Sequence, residues 1–207
     1  NWTPAAIPTN NDTAIIRTGE VKIAQNFGGK VNVENNGIFR LTDSITVNSI
    51  ELSGGTLKSY TSNPVFILTS TLTSEQASIV MVGSINTSFL YIEGSVHGSG
   101  NLTKTSVGTL RINADATNYK GTWIIDEGRI QLRNSTGLGL CGVEVDSAAI
   151  LDIETAASTN ALVLKPFAKL NLDADLSVQM AIFGDENLTA GTYTASSHPT
   201  FIEGTGT

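Results

Sequence analysis

Leu110-Arg111-Ile112, Ile130-Gln131-Leu132, Leu151-Asp152-Ile153 and Leu170-Asn171-Leu172 are four copies of one pattern, spaced 19–21 residues apart. In each, two apolar residues flank one polar residue. Alternation of this kind sends the two flanking side chains to one face of a strand and the middle one to the other. A near-constant step means that the same strand is rebuilt once per repeat. Working outward, Leu90-Tyr91-Ile92, Ile50-Glu51-Leu52 and Val31-Asn32-Val33 continue the series toward the N-terminus. The step from Ile50 to Leu90 is double, and a degenerate member around Ser70-Thr71-Leu72 fills it. A second series, Trp123-Ile124-Ile125, Val143-Glu144-Val145 and Leu162-Val163-Leu164, runs offset from the first with the same period.

Two offset series imply at least two short strands per repeat of about 20 residues. Turn signals sit between them at Asn35-Asn36-Gly37, Ser53-Gly54-Gly55, Gly98-Ser99-Gly100, Glu127-Gly128 and Gly137-Leu138-Gly139. One such repeat cannot bury its inner face alone, so repeats stack as the coils of a solenoid. The prediction is an all-β chain, a single parallel β-helix over residues 1–207 with about eight coils. Residues 1–19, which carry Pro4 and Pro8, cap the first coil, and residues 188–207 close the last. A β-sandwich would also show frequent strands, but it has no reason to repeat one triplet at this spacing.

Composition agrees. Charged residues make up only 15% of the 207, and the chain instead carries 26 Thr, 19 Ser, 17 Asn and 20 Gly. These residues favour strands and tight turns over helices, which excludes a helical bundle or a doubly wound α/β enzyme. The net charge of −7, with no basic run, excludes nucleic acid as a partner. No apolar run reaches the length of a transmembrane helix. The lone Cys141 excludes a disulfide framework and a cysteine metal cluster, and reads as a small core residue.

Residues 98–153 read Gly98-Ser99-Gly100-Asn101-Leu102-Thr103-Lys104-Thr105, Gly108-Thr109-Leu110-Arg111-Ile112, Asn118-Tyr119-Lys120-Gly121-Thr122 and Glu127-Gly128-Arg129-Ile130-Gln131-Leu132. Leu138-Gly139, Val143-Glu144-Val145 and Ala149-Ile150-Leu151-Asp152-Ile153 follow. This stretch resembles the autotransporter-associated β-strand repeat of secreted and surface bacterial proteins. The tail from Ala190-Gly191-Thr192-Tyr193-Thr194 to Gly204-Thr205-Gly206-Thr207 resembles the ending that closes such regions. The resemblance implies a right-handed parallel β-helix, secreted or on the cell surface of a bacterium. The chain also resembles the β-helical xylan-binding carbohydrate-binding modules of family 89. That likeness implies a module covalently linked to a catalytic domain, with a polysaccharide partner.

Catalytic chemistry leaves few traces. The two histidines, His97 and His198, lie in turn-like or tail segments without a nucleophile elbow or a zinc motif. Of the carboxylate pairs a glycosidase would need, Asp173 and Asp175 alternate as if on one strand face, while Asp126-Glu127 and Asp185-Glu186 are neighbours that read as turns. A β-helical lyase would draw on Arg111, Arg129 or Arg133, with which no acidic cluster aligns. No cofactor is implied beyond a structural Ca²⁺ that the acidic residues could hold through oxygen ligands.

The outward column of the first series is the candidate site: Asn32, Glu51, Thr71, Tyr91, Arg111, Gln131, Asp152 and Asn171. An aromatic ring can stack on a sugar, and amide, carboxylate and guanidinium groups bond hydroxyls. Tyr119, in a turn, is expected to be exposed, and Trp123 to lie inward or at a corner; both join Tyr91, Arg111, Gln131, Asp152 and Glu51 as candidate ligand contacts. Phe66, Phe89, Phe167 and Phe183 are expected in the core, and Tyr60 in a turn. The functional expectation is non-catalytic binding of a neutral plant cell-wall polysaccharide, xylan by resemblance. The alternatives are a structural passenger or adhesin segment of a surface protein, and a β-helical lyase.

Overall fold

The computed structural model describes residues 9, 11–23, 26–59, 65–68 and 71–207, with only the backbone of 65–68. Pro4, Pro8, Tyr60 and the side chain of Phe66 lie outside the described residues. The described chain is all strand and turn, wound into a β-solenoid of parallel stacked coils.

Three ladders run along the stack. The first is a seven-stranded sheet of Val65–Leu68, Phe89–Ile92, Thr109–Ile112, Arg129–Leu132, Ile150–Ile153, Lys169–Leu172 and Ile202–Gly204, neighbours pairing in parallel. Its register stacks Leu90, Leu110, Ile130, Leu151 and Leu170 in one inward column, each no more than 2% exposed. The column predicted from the triplets is therefore present. Complete burial of each such side chain contributes about 1.5–3 kcal/mol, so the stack is held chiefly by these columns.

The second ladder runs from the end of Phe27–Leu41 through Thr56–Ser59, Ser78–Val82, Leu102–Thr105, Thr122–Ile125, Gly142–Val145, Ala157–Leu164 and Leu176–Phe183. Its inward column is Phe39, Leu57, Val80, Lys104, Ile125, Val145, Leu164 and Phe183. Leu176–Phe183 then turns back on Glu186–Leu188 as an antiparallel pair.

The third ladder joins Lys30–Glu34, within the strand Phe27–Leu41, to Val47–Ser53, Thr71–Gln76 and Ser95–Gly98. After Gly98 it thins to single bridges, Ser95 to Asp115 and Gly98 to Tyr119, and then to turns over residues 135–140. Early coils thus have three strands, and the middle coils have two plus a turn.

Two expectations about the ends change. Residues 13–19 belong to the strand Thr13–Ile23, which pairs in parallel with Phe27–Leu41, so the stack begins inside the segment read as a cap. At the other end Ile202–Gly204 adds the last rung of the first ladder, so the closing segment is partly a coil.

The corner from the second ladder to the first repeats a left-handed residue. Gly128, Ala148 and Phe167 have φ of 76°, 65° and 69°, each three residues after an inward residue of the second ladder. At Gly128 the glycine is required, since a Cβ would lie 2.5 Å from the carbonyl oxygen of Ser106 on the preceding coil.

Candidate functional site

The outer face of the first ladder carries the column that the triplets foretold in part. Parallel register sets Tyr91 beside Arg111, Arg111 beside Gln131, Gln131 beside Asp152, Asp152 beside Asn171, and Asn171 beside Glu203. Phe89 lies two residues before Tyr91 on the same face, and both rings are half-buried. The Arg111 guanidinium sits over both, its carbon 4.1 Å from the Phe89 ring centre and 5.0 Å from that of Tyr91. It also donates to the Tyr91 hydroxyl. Among the described residues, Arg111 is the one arginine or lysine on this face without a carboxylate partner.

The other charges are committed. Arg129 reaches Asp152 at 2.5 Å, and Asn171 donates to the other oxygen of Asp152 at 2.7 Å. Burial pushes the Asp152 carboxyl above its usual range, and the Arg129 charge opposes that shift only in part. Arg133 pairs with Glu154 at 2.8 Å, Lys169 with Glu203 at 3.0 Å, and Asn113 donates to Glu93 at 2.7 Å.

Hydrogen-bonding capacity is left over here. Arg111 Nε, Asn113 Oδ1, Gln131 Oε1 and Asn171 Oδ1 have no partner. All four are shut off from solvent between neighbouring rungs, so they are internal to the face and not open to a ligand as the side chains stand. The face is flat, with rings at one end and polar arms along its length.

Three candidate contacts lie elsewhere. Glu51 stacks with Asn32, Thr73 and His97 in the third ladder, not with Tyr91; Thr71 pairs with Ser49. Counting residues gave the right period but merged two faces. Tyr119 and Trp123 are fully buried, against the expectation that Tyr119 is exposed. The Tyr119 hydroxyl donates to the carbonyls of Gly100 at 3.0 Å and Thr122 at 3.2 Å, and its ring centre lies 5.1 Å from that of Trp123. Burial raises the Tyr119 phenol well above its ordinary range. The turn around Tyr119 folds inward because the third ladder has lost its strand there, and the two rings fill the space.

Phe167 is the reverse case. Expected in the core, its ring is 77% exposed on the corner before Lys169. The signal was in the alignment: Phe167 stands three residues after Leu164 as Gly128 stands three after Ile125, which places it on the outside of a turn.

Asp173 and Asp175 do not share a strand face. Both lie in the bend after Leu172, and Asp175 accepts from the amide of Thr207 at 3.0 Å. Ser95 Oγ lies 2.9 Å from His97 Nε2 in the third ladder. Among the described residues no three of His, Cys, Asp and Glu converge as metal ligands would. Cys141 is buried and its thiol, pushed up to about 12 by burial, acts as a core group. A cavity of about 360 Å³ opens under the last coil, lined by Leu162, Leu172, Val178, Leu188 and Tyr193; it continues the core column outward.

The chain was compared with protein-family models, curated proteins and solved structures, and nothing matches in any of the three.

Proposed function

We propose that the outer face of the first ladder binds an extended neutral polysaccharide of the plant cell wall, xylan first, without transforming it. The carrying observation is the Arg111 guanidinium laid over the Phe89 and Tyr91 rings with no carboxylate partner, on a face that continues through the amides of Gln131 and Asn171 on later rungs. Rungs about 4.8 Å apart repeat at close to the length of one sugar residue, so a chain along the coil axis meets one rung per sugar. The resemblance to family 89 carbohydrate-binding modules and to the autotransporter-associated repeat supports the same reading. On this reading the chain works outside a bacterial cell, tethered to a hydrolase whose local substrate concentration it raises.

Affinity gels with xylan, glucan, mannan and pectin test this. Retardation by xylan is expected, and Tyr91→Ala should weaken it about tenfold, since a lost ring contact and a misplaced Arg111 amount to about 1.4 kcal/mol. Equal retardation of Tyr91→Ala and the parent overturns the choice of face.

A second reading has its own observation. The pairs Arg129–Asp152, Arg133–Glu154 and Lys169–Glu203 tie this face to itself across rungs, as a purely structural passenger would need. That reading expects no retardation by any glycan.

A further inference from the structure

Phe167 joins two unfavourable features. Its φ of 69° is left-handed, which strains a residue bearing a Cβ. Its ring is 77% exposed. The turn does not ask for it, because Ala148 serves at the same station of the preceding coil. The core does not ask for it either, and the ring stacks on no other aromatic among the described residues. A strained backbone that presents a bare ring to solvent points to a contact outside the chain.

Its position says which contact. Phe167 stands on the edge of the first ladder, two residues before Lys169. Phe89, Thr109, Arg129, Ile150 and Lys169 are successive neighbours in register. Phe167 is therefore four rungs from the Phe89–Tyr91 shelf, or about 19 Å at about 4.8 Å per rung. The corner between them carries Ala148, Gly128 and then Val107, itself an exposed apolar side chain. Arg111 and Gln131 stand on rungs between the two aromatic stations, and Asn171 on the rung of Phe167 itself.

We propose that Phe167 is a second stacking contact for the same glycan. The ligand is then an internal stretch of extended chain, about five sugars at one per rung, lying along the coil axis. A chain end or a single sugar would meet only one of the two stations. This inference rests on the glycan reading of the first-ladder face.

Calorimetric titration of the whole chain with β-1,4-linked xylose oligomers, from xylobiose to xylohexaose, tests it. Affinity should climb with length and level off at the pentamer. Phe167→Gly removes the ring and relieves the backbone, so it should fold at least as well as the parent. It should bind xylohexaose about tenfold more weakly and xylotriose unchanged. If Phe167→Gly binds xylohexaose like the parent while Tyr91→Ala does not, the second station is wrong and the glycan reading stands. If the parent binds neither xylohexaose nor xylan, that reading fails and this inference with it.

Discussion

The Lys104 ammonium donates to the Glu127 carbonyl, one coil further on, at 2.8 Å. It donates also to the carbonyls of Thr105 and Ser106. Lys104 stands between Val80 and Ile125 in an otherwise apolar column and is fully buried. Its charge is thus met by backbone dipoles, with Glu127 and Asp126 adding a weaker Coulomb attraction.

Burial lowers the Lys104 ammonium to about 7 from an ordinary 10.5. Between those values the unfolded chain holds the proton more often than the folded one, so stability rises with pH across that window. The contribution is complete above 10.5 and is lost as pH falls through about 7. Denaturant midpoints measured from pH 7 to 10 should climb in the parent. Lys104→Met should flatten that climb; a parallel slope in both proteins would contradict the assignment.

Leu110 lies fully buried between Leu90 and Ile130. Leu110→Ala should destabilise by about 2–5 kcal/mol through the cavity it leaves. Glycan retardation at a temperature where the variant stays folded should match the parent. A loss below about 1 kcal/mol in guanidinium unfolding would mean the column repacks freely.

Ala148 and Gly128 are the left-handed residues of the same corner in successive coils, with φ of 65° and 76°. Ala148→Gly should stabilise by about 0.5–1 kcal/mol by removing the left-handed penalty. Gly128→Ala should do the opposite and more severely, because its Cβ would press the Ser106 carbonyl at 2.5 Å. Paired thermal unfolding curves of the two variants measure this difference of sign.

Tyr119→Phe removes a buried hydroxyl and leaves the carbonyls of Gly100 and Thr122 without it. The expected loss is about 1–3 kcal/mol of stability. Xylan retardation should not change, since the ring is in the core. Weakened retardation in a fully folded Tyr119→Phe protein would return Tyr119 to the binding surface.

The stacking of Leu110, Ile130, Leu151 and Leu170 was legible because parallel register in a solenoid copies itself directly into sequence spacing. Which face a triplet belongs to was not legible. Ile50-Glu51-Leu52 has the same alternation as Leu90-Tyr91-Ile92, yet they sit on different ladders, because spacing counts residues and ignores corners. Of the candidate site, Tyr91, Arg111, Gln131 and Asp152 were found in one column, although Asp152 is almost fully buried. Phe89 and Phe167 were missed for one reason. A phenylalanine reads as core unless the turn geometry around it is known, and that geometry depends on where the neighbouring coil bends.

The antiparallel pairing of Leu176–Phe183 with Glu186–Leu188 governs how the molecule behaves in company. A pile of near-identical parallel rungs has no intrinsic length, and its bare edge is a template for the next rung, whichever chain supplies it. Antiparallel bonds alternate between narrow and wide pairs, out of phase with the even spacing of a parallel rung. The hairpin therefore acts as a stop codon written in hydrogen bonds. It covers Ala181, Ile182 and Phe183 at the end of the second ladder with bonds that a further parallel rung cannot continue.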